Sequence, residues 1–171
     1  MTNSCNNRGR LAVALLLALF SAAKTHAGNC TVSSSGLAFG SYQPLTIPGK
    51  FSSTAATSTA SVSVVCTDIM SASTYTIALG PSIVGNGDRI STRFLANSNG
   101  GDHMTFNVYR EASYSTIWGD GITAGGVLGG TLPAGDSNQS HAVYARAAAG
   151  QNTLKAGSFS GSLTMTLTYN P

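Results

Sequence analysis

The segment 162–169 of this chain alternates polar and apolar residues without a break. Successive side chains of a β-strand point to opposite faces, so this period-two pattern predicts a strand with one buried face. Leu163, Met165, Leu167 and Tyr169 share one face and are expected to point towards a core. The edge of a sheet carries unpaired backbone groups that must be covered or used. What pairs with this strand is therefore the question that decides the role of the chain.

The N-terminal residues have the features of a secretory signal peptide. Two arginines and no acid precede an unbroken apolar run over 11–20. Small residues then offer cleavage after Ala27, with Ala23 as the alternative. The run is too short to span a membrane, and no second long apolar run follows it. We expect a leader over 1–27 and an exported domain over 28–171 that does not insert into a membrane.

Removal of this leader changes the charge of the chain. Three of the 9 basic residues lie in the leader and none of the 6 acidic residues does, so the net charge falls from +3 to zero. A neutral domain has no excess of basic side chains with which to hold nucleic acid. Near-zero net charge instead favours association with other proteins.

Alternation elsewhere in the chain predicts further strands, over 59–66, 74–79, 104–109 and 140–146. No long window shows the 3.6-residue period of a helix, and the helix formers Glu and Lys are sparse. About seven strands in a domain of this size predict an all-β sandwich.

Three other segments predict irregular structure. The Gly-rich stretch 118–130 predicts a long loop, and the sequence Asn-Gly-Asp at 86–88 predicts a turn. The Ser/Thr/Ala-rich stretch 52–61 predicts a mobile segment that is too short for a domain linker.

Two cysteines remain once Cys5 leaves with the leader. Cys30 and Cys66 form one pair in an exported, oxidising context, so we expect a disulfide between them. Two buried free thiols are the alternative, and the spacing matches no zinc site. On the chain-entropy model, a disulfide closing a loop of this length stabilises the fold by about 3–4 kcal/mol.

Several short motifs follow one another along the chain in a recognisable order. They are Cys-Thr-Val-Ser at 30–33, the stretch 36–44, Val-Val-Cys at 64–66, Arg89, Phe-Asn-Val-Tyr-Arg at 106–110, Trp-Gly-Asp-Gly at 118–121, Tyr144, Gln151, and the closing stretch 157–169. Together they resemble the spore coat protein U domain family, which includes the subunits of archaic (Csu-type) chaperone–usher pili. The chain departs from the family pattern at Ala145, Phe159 and Gly161.

The resemblance implies an immunoglobulin-like β-sandwich that lacks its final strand. A periplasmic chaperone would fill the resulting groove first, and the N-terminal extension of another pilus subunit would replace it at an outer-membrane usher. Such β-augmentation combines main-chain hydrogen bonds with pockets for alternate side chains. The resemblance makes Leu163, Met165, Leu167 and Tyr169 candidates for lining this groove, the alternative being an ordinary closed core.

The segment before the first mature cysteine adds an expectation about position in a fibre. In the family that this chain resembles, the subunits that polymerise carry an extension of alternating apolar residues before that cysteine. Cleavage after Ala27 leaves only Gly28 and Asn29 before Cys30, and 24–29 as a whole has no such alternation. We expect a tip, initiating or capping subunit that joins a hetero-assembly rather than a self-polymer, after export through the periplasm to the cell surface or an extracellular fibre.

Residues that could support chemistry are few. The acidic residues lie mostly in turn-like contexts, and no Gly-x-Ser-x-Gly motif occurs. Asp102 and His103 with His141 could form a metal or catalytic site, but surface histidines are the stronger interpretation. Trp118 fits either the core or an exposed ring, and the six tyrosines form no platform that the sequence locates. We expect no enzyme, cofactor or metal site.

Two functions remain from these observations. The favoured one is a secreted structural subunit of a bacterial surface pilus or coat. The alternative is an adhesin-type module that recognises a surface ligand.

Overall fold

A computed structural model describes residues 28–50, 52–84 and 89–171. The predicted leader over 1–27 and the predicted turn at 86–88 lie outside these residues. The described chain forms strands and contains no helix. The strands are β1 (Asn29–Ser34), β2 (Ala56–Ile69), β3 (Ser73–Ser82), β4 (Arg93–Asn97), β5 (His103–Tyr109), β6 (Leu128–Leu132), β7 (Gly135–Ala147), β8 (Phe159–Ser160) and β9 (Leu163–Asn170).

The strands form two antiparallel sheets that pack as a sandwich. The larger sheet has the order β1-β2-β7-β5-β4-β8, and the smaller sheet has the order β6-β3-β9. Every pairing between these strands is antiparallel. The all-β sandwich predicted from the alternation, and the immunoglobulin-like form that the resemblance implies, are therefore confirmed.

The predicted inward faces form the core. Along β2, β3 and β5 the alternate apolar residues are buried, as the period-two pattern requires. They are Val62, Val64, Cys66, Tyr75, Ile77, Leu79, Met104, Phe106 and Val108. In β7, Val143 is buried and His141 is half-buried on the same face.

Two expectations about irregular segments are wrong. Residues 56–61, predicted to be mobile, form the first half of β2, because Ala56 and Ala60 face the core and β7 pairs along this length. The Gly-rich stretch predicted as one loop contains the start of β6. Its glycines make room for the Tyr75 ring, since a Cβ at Gly130 would lie 3.0 Å from the Tyr75 Oη.

The first strand is fixed to the second by a covalent bond. Cys30 and Cys66 are register partners in the β1–β2 pair, and their sulfur atoms lie 2.11 Å apart as a disulfide. The bond holds the start of the described chain against the buried middle of the large sheet.

The final strand lies at the edge of the small sheet. β9 pairs with β3 on one side, and no strand of the described residues pairs with its other edge. Its side chains alternate between half-buried and exposed along the whole strand. The chain crosses between the sheets just before β9, because β8 pairs with β4 in the large sheet. No described segment forms a helix that could cross a membrane.

Candidate functional site

A cleft of about 1140 Å³ opens between the two sheets beside the start of β9. We call it the edge cleft. One wall is the segment 36–45, which follows β1, and the other is formed by residues 154–163. The floor consists of core residues from both sheets. They are Leu79, Leu95, Met104, Phe106, Val108, Trp118 and Val143. Each of these floor residues has 9% or less of its surface exposed, so the cleft reaches down to the hydrophobic core.

The four candidate groove residues on β9 do not all line the edge cleft. Leu163 and Met165 line it. Leu167 and Tyr169 lie on the same face, half-buried against the core, but are not part of the cleft lining. β1 and β9 approach each other with Cα atoms within 8 Å. The cleft therefore opens along the first half of β9.

The wall formed by residues 36–45 has no regular secondary structure and belongs to neither sheet. None of its residues makes a backbone–backbone hydrogen bond with another described residue. Its side chains hold it instead: the Phe39 ring meets the Phe106 ring edge to face at 5.7 Å, and Ser58 Oγ accepts a hydrogen bond from the Ala38 backbone N–H at 2.9 Å. Apart from the Gly36 and Ala38 N–H groups and the Leu45 carbonyl, which bond to side chains, the backbone groups of this wall have no hydrogen-bond partner among the described residues.

A hydrogen-bonded cluster joins this wall to β5 and to the loop between β7 and β8. Tyr42 Oη donates to the carbonyl of Ala148 at 2.5 Å. The side chain of Gln151 accepts from the backbone N–H of Thr105 at 2.6 Å and donates to the carbonyls of Thr105 at 2.9 Å and Ala148 at 3.1 Å. We call Tyr42, Thr105, Ala148 and Gln151 the clasp.

A fully buried arginine, which the sequence did not identify, supports the cleft floor. Arg93 Nη2 donates to the carbonyls of Leu79 at 2.8 Å and Trp118 at 2.9 Å, and both of these residues line the cleft. Its Nε donates to Gly80 O at 2.9 Å and its Nη1 to Asn107 Oδ1 at 2.6 Å. Burial lowers the pKa of the guanidinium to about 10, while the charge of Asp120 acts in the opposite direction. Four acceptors on three segments of the chain thus bind one cation.

Trp118, which the sequence allowed either inside or outside, belongs to the core. Only 2% of its surface is exposed, and its Nε1 donates to the carbonyl of Ile77 at 2.8 Å. The ring therefore forms part of the cleft floor and is not a surface platform.

The residues considered for acid–base or metal chemistry have separate structural partners. Asp102 Oδ2 accepts the backbone N–H of Lys155 at 2.7 Å, and the His103 ring lies edge to face against Phe94 at 6.2 Å. His141 Nε2 lies 2.6 Å from Tyr75 Oη, and burial lowers the pKa of its imidazole. Within the described ranges, no group of three His, Cys, Asp or Glu side chains is placed to hold a metal.

The Asp120 carboxylate serves the loop that contains it. Oδ1 accepts backbone N–H bonds from Ile122, Thr123 and Ala124, at distances from 2.8 to 3.1 Å. These bonds, that of Ile122 first, hold the pKa of Asp120 well below its usual range. The carboxylate stabilises a turn that returns the chain to β6.

Three tyrosines that are distant in sequence meet on the outer face of the large sheet. Tyr109 and Tyr144 are register partners of β5 and β7, and the Tyr114 ring lies edge to face with Tyr109 at 5.4 Å. The Arg146 guanidinium lies 5.6 Å from the centre of the Tyr114 ring. The sequence could not locate this platform because the pairing of β5 with β7 creates it.

Comparison with known proteins gives one finding. Residues 16–166 match the family model described as the Spore Coat Protein U domain. The match begins inside the predicted leader and includes every strand except the end of β9. No curated protein matches the chain.

Proposed function

The chain belongs to the Spore Coat Protein U domain family, and on that basis we propose that it is a subunit assembled by donor-strand complementation through a chaperone–usher route. The family consists of exported structural components of surface pili and coats and is not an enzyme family. The proposed partners are a periplasmic chaperone, an outer-membrane usher and other subunits. The proposed leader over 1–27 would direct the domain over 28–171 into the periplasm.

The observation that carries this proposal is the free edge of β9 beside the edge cleft. The outer edge of β9 has no partner strand among the described residues, and the opposite wall at 36–45 makes no backbone–backbone hydrogen bond. An extended segment entered between them would have backbone donors and acceptors on both sides. Main-chain bonding of this kind is how a strand is added to an exposed sheet edge.

The cleft floor supports the same occupant. A strand that bonds to β9 would point every second side chain at the floor, which includes Leu79, Val108 and Trp118. Each buried Val, Leu or Ile side chain contributes about 1.5–3 kcal/mol relative to water. Three such side chains contribute about 4.5–9 kcal/mol, which is comparable with the cost of association, so the main-chain hydrogen bonds to β9 are needed as well. An alternating apolar segment therefore fits the cleft better than a small polar ligand.

The position in the assembly follows from the residues before Cys30. With cleavage after Ala27, the mature chain would accept a strand at the edge cleft but would offer no alternating apolar segment to the next subunit. We place the chain at the tip of a fibre, or as an initiating or capping subunit.

Co-expression with a periplasmic pilus chaperone tests this function. We expect a one-to-one complex from the periplasm, with the chain unstable or aggregated when it is expressed alone, because an unfilled cleft exposes apolar surface. A cooperatively folded monomer purified without any partner, and unable to bind an alternating apolar strand, would contradict the proposal.

The adhesin-type alternative is favoured by the tyrosine platform. Tyr109, Tyr114 and Tyr144, with Arg146, place aromatic rings and a cation on one outer face. Aromatic and arginine side chains are enriched where proteins recognise partners. Ligand binding by the domain that is lost in Tyr114→Ala, with strand binding at the cleft intact, would identify a recognition role in addition to assembly.

A further inference from the structure

We propose that Tyr42 and Gln151 are positioning residues that set the spacing between the two walls of the edge cleft, and so determine how tightly it holds an incoming strand. The inference rests on the proposed strand-accepting function. Neither residue belongs to β9, the strand whose edge would bind the partner. The evidence is the geometry of the clasp.

Gln151 takes the place of a strand partner at Thr105. Its carboxamide accepts from the backbone N–H of Thr105 and donates to the carbonyl of the same residue. Neighbouring strands make this reciprocal pair of bonds with their backbones, and here one side chain makes it. The loop between β7 and β8 is thereby fixed to β5, whose inward residues Met104 and Phe106 form cleft floor.

Tyr42 connects the wall at 36–45 to the loop that contains Gln151. Its hydroxyl donates to the carbonyl of Ala148, which also accepts a bond from Gln151 Nε2. The backbone N–H of Gln151 points back to the Tyr42 hydroxyl at 3.4 Å. The wall at 36–45 is thus tied to the loop between β7 and β8. This loop leads into the wall at 154–163, where the Leu154 backbone N–H donates to the Gln151 carbonyl at 3.3 Å.

The wall itself has little else to hold it near this point. Gly40 lies between Phe39 and Tyr42 with φ of +67°, and an added Cβ there would meet nothing within 4 Å. The backbone on either side of Gly40 makes no backbone–backbone hydrogen bond among described residues. Loss of the Tyr42 hydroxyl bond would let the residues after Gly40 move relative to Phe39.

A wall that is correctly placed for only part of the time weakens strand binding in proportion to that fraction. Loss of one neutral hydrogen bond would lower affinity about fivefold, and loss of two or more would lower it by tenfold or more. Tyr42→Phe keeps the ring and removes the short bond to Ala148 O together with the long, weak one from the Gln151 N–H, so we count it as the loss of about one bond. Gln151→Glu keeps the acceptor for Thr105 N–H but removes the two amide donors and places a carboxylate near two carbonyls.

The test measures binding of a fluorescent nine-residue peptide of alternating serine and valine to the full exported chain refolded with it, by anisotropy. Two variants make the same chemical changes elsewhere. Tyr144→Phe, on the outer face, matches Tyr42→Phe. Gln139→Glu matches Gln151→Glu, because the Gln139 amide donates to Ser137 Oγ at 3.2 Å. Val62→Ala controls for stability alone, because Val62 is fully buried in β2 and does not line the cleft. A peptide with aspartate at its central valines controls for specificity.

We expect about fivefold weaker binding for Tyr42→Phe and a tenfold or greater loss for Gln151→Glu, with the three control variants within twofold of the wild type. If the wild type binds the peptide and both clasp variants bind equally well, the positioning role is wrong and the proposed function stands. A wild type that does not bind the alternating peptide refutes the proposed function itself. Equal losses in Val62→Ala and Tyr42→Phe would show that stability alone explains the effect.

Discussion

The Tyr75 hydroxyl and the His141 Nε2 lie 2.6 Å apart and connect the two sheets of the sandwich. Tyr75 belongs to β3 in the small sheet, and His141 belongs to β7 in the large sheet. Their rings also meet edge to face at 5.8 Å. This pair makes the stability of the fold depend on pH.

Burial lowers the pKa of His141 in the folded chain below its ordinary value near 6.5. As the pH falls through about 6.5, the unfolded chain takes up a proton on this residue before the folded chain does, so the free energy of unfolding decreases. We expect the free energy of unfolding to decline from pH 8 to pH 5. The decline should be smaller in His141→Gln. One proton limits the slope to about 1.4 kcal/mol per pH unit.

The measurement is urea unfolding of a self-complemented form, in which a short linker and an alternating serine–valine strand follow Pro171. Arg110 and Glu111 line the same recess as His141. Hydrogen bonds from Ser115 and Thr116 lower the pKa of Glu111. The contribution of Glu111 to stability is therefore lost only below about pH 4.5, outside the range of pH 8 to pH 5. His103→Gln removes an exposed histidine as the control. An unchanged slope in His141→Gln would contradict the assignment.

Arg93 is predicted to be among the most sensitive positions in the chain. Arg93→Lys keeps the charge but cannot serve four acceptors that a planar guanidinium reaches together. The unpaired buried carbonyls should lower the free energy of unfolding by about 2–3 kcal/mol. Urea unfolding of the self-complemented form checks this, with the exposed Arg110→Lys as control. A loss below about 0.5 kcal/mol, the usual size of surface changes, would show that water replaces the guanidinium.

The sequence predicted the parts of the fold that local alternation determines. Val62, Tyr75 and Phe106 lie in strands whose period-two pattern marks the inward face, and all three are buried as expected. It did not predict β4 or β8, because these strands are too short to show a clear alternation. Nor did it predict Arg93 in the core, since its four acceptors come together only after both sheets have formed.

The edge cleft was predicted in part for the same reason. The alternation of β9 put Leu163 and Met165 on its inward face, the resemblance made them candidates for a groove, and both line the cleft. Its floor and its second wall depend on how the segment 36–45 lies across the core, which no local pattern specifies. Tyr42 and Gln151 meet through tertiary packing alone, so their roles could be assigned only from the structure.

The disulfide leads to a prediction about export. We expect Cys30 and Cys66 to be oxidised before the chain is assembled, because β1 is held in its register by this bond. Mass spectrometry with and without reductant should show a two-dalton difference, as expected for one disulfide, and a linked peptide pair. A double Cys→Ala variant should lose about 3–4 kcal/mol of unfolding free energy on the chain-entropy model. Two alkylatable thiols in the native exported protein would contradict this prediction.

A negative charge on the inward face of β9 should weaken strand binding, whereas the same charge on the exposed face should not. Met165→Asp puts a carboxylate against the cleft, where burying it without a partner costs several kcal/mol, so strand or chaperone binding should weaken at least a hundredfold. Thr164→Asp and Thr166→Asp put the same group on the exposed face and should bind normally. Pull-down with the chaperone and anisotropy with the alternating peptide measure both. Equal effects on the two faces would mean that the inward face of β9 takes no part in binding.

The proposed position in the fibre gives the last prediction. A subunit that accepts a strand but donates none can join an assembly at one end only, so gold labelling of this chain should mark single positions at fibre ends. N-terminal sequencing of the exported protein comes first, because the argument requires cleavage near Ala27 and no alternating apolar segment before Cys30. The purified chain alone should remain without fibres, and a chain with an alternating serine–valine extension grafted before Cys30 should polymerise. Labels along the whole shaft, or homopolymers of the unmodified chain, would refute the tip position while leaving strand acceptance at the edge cleft intact.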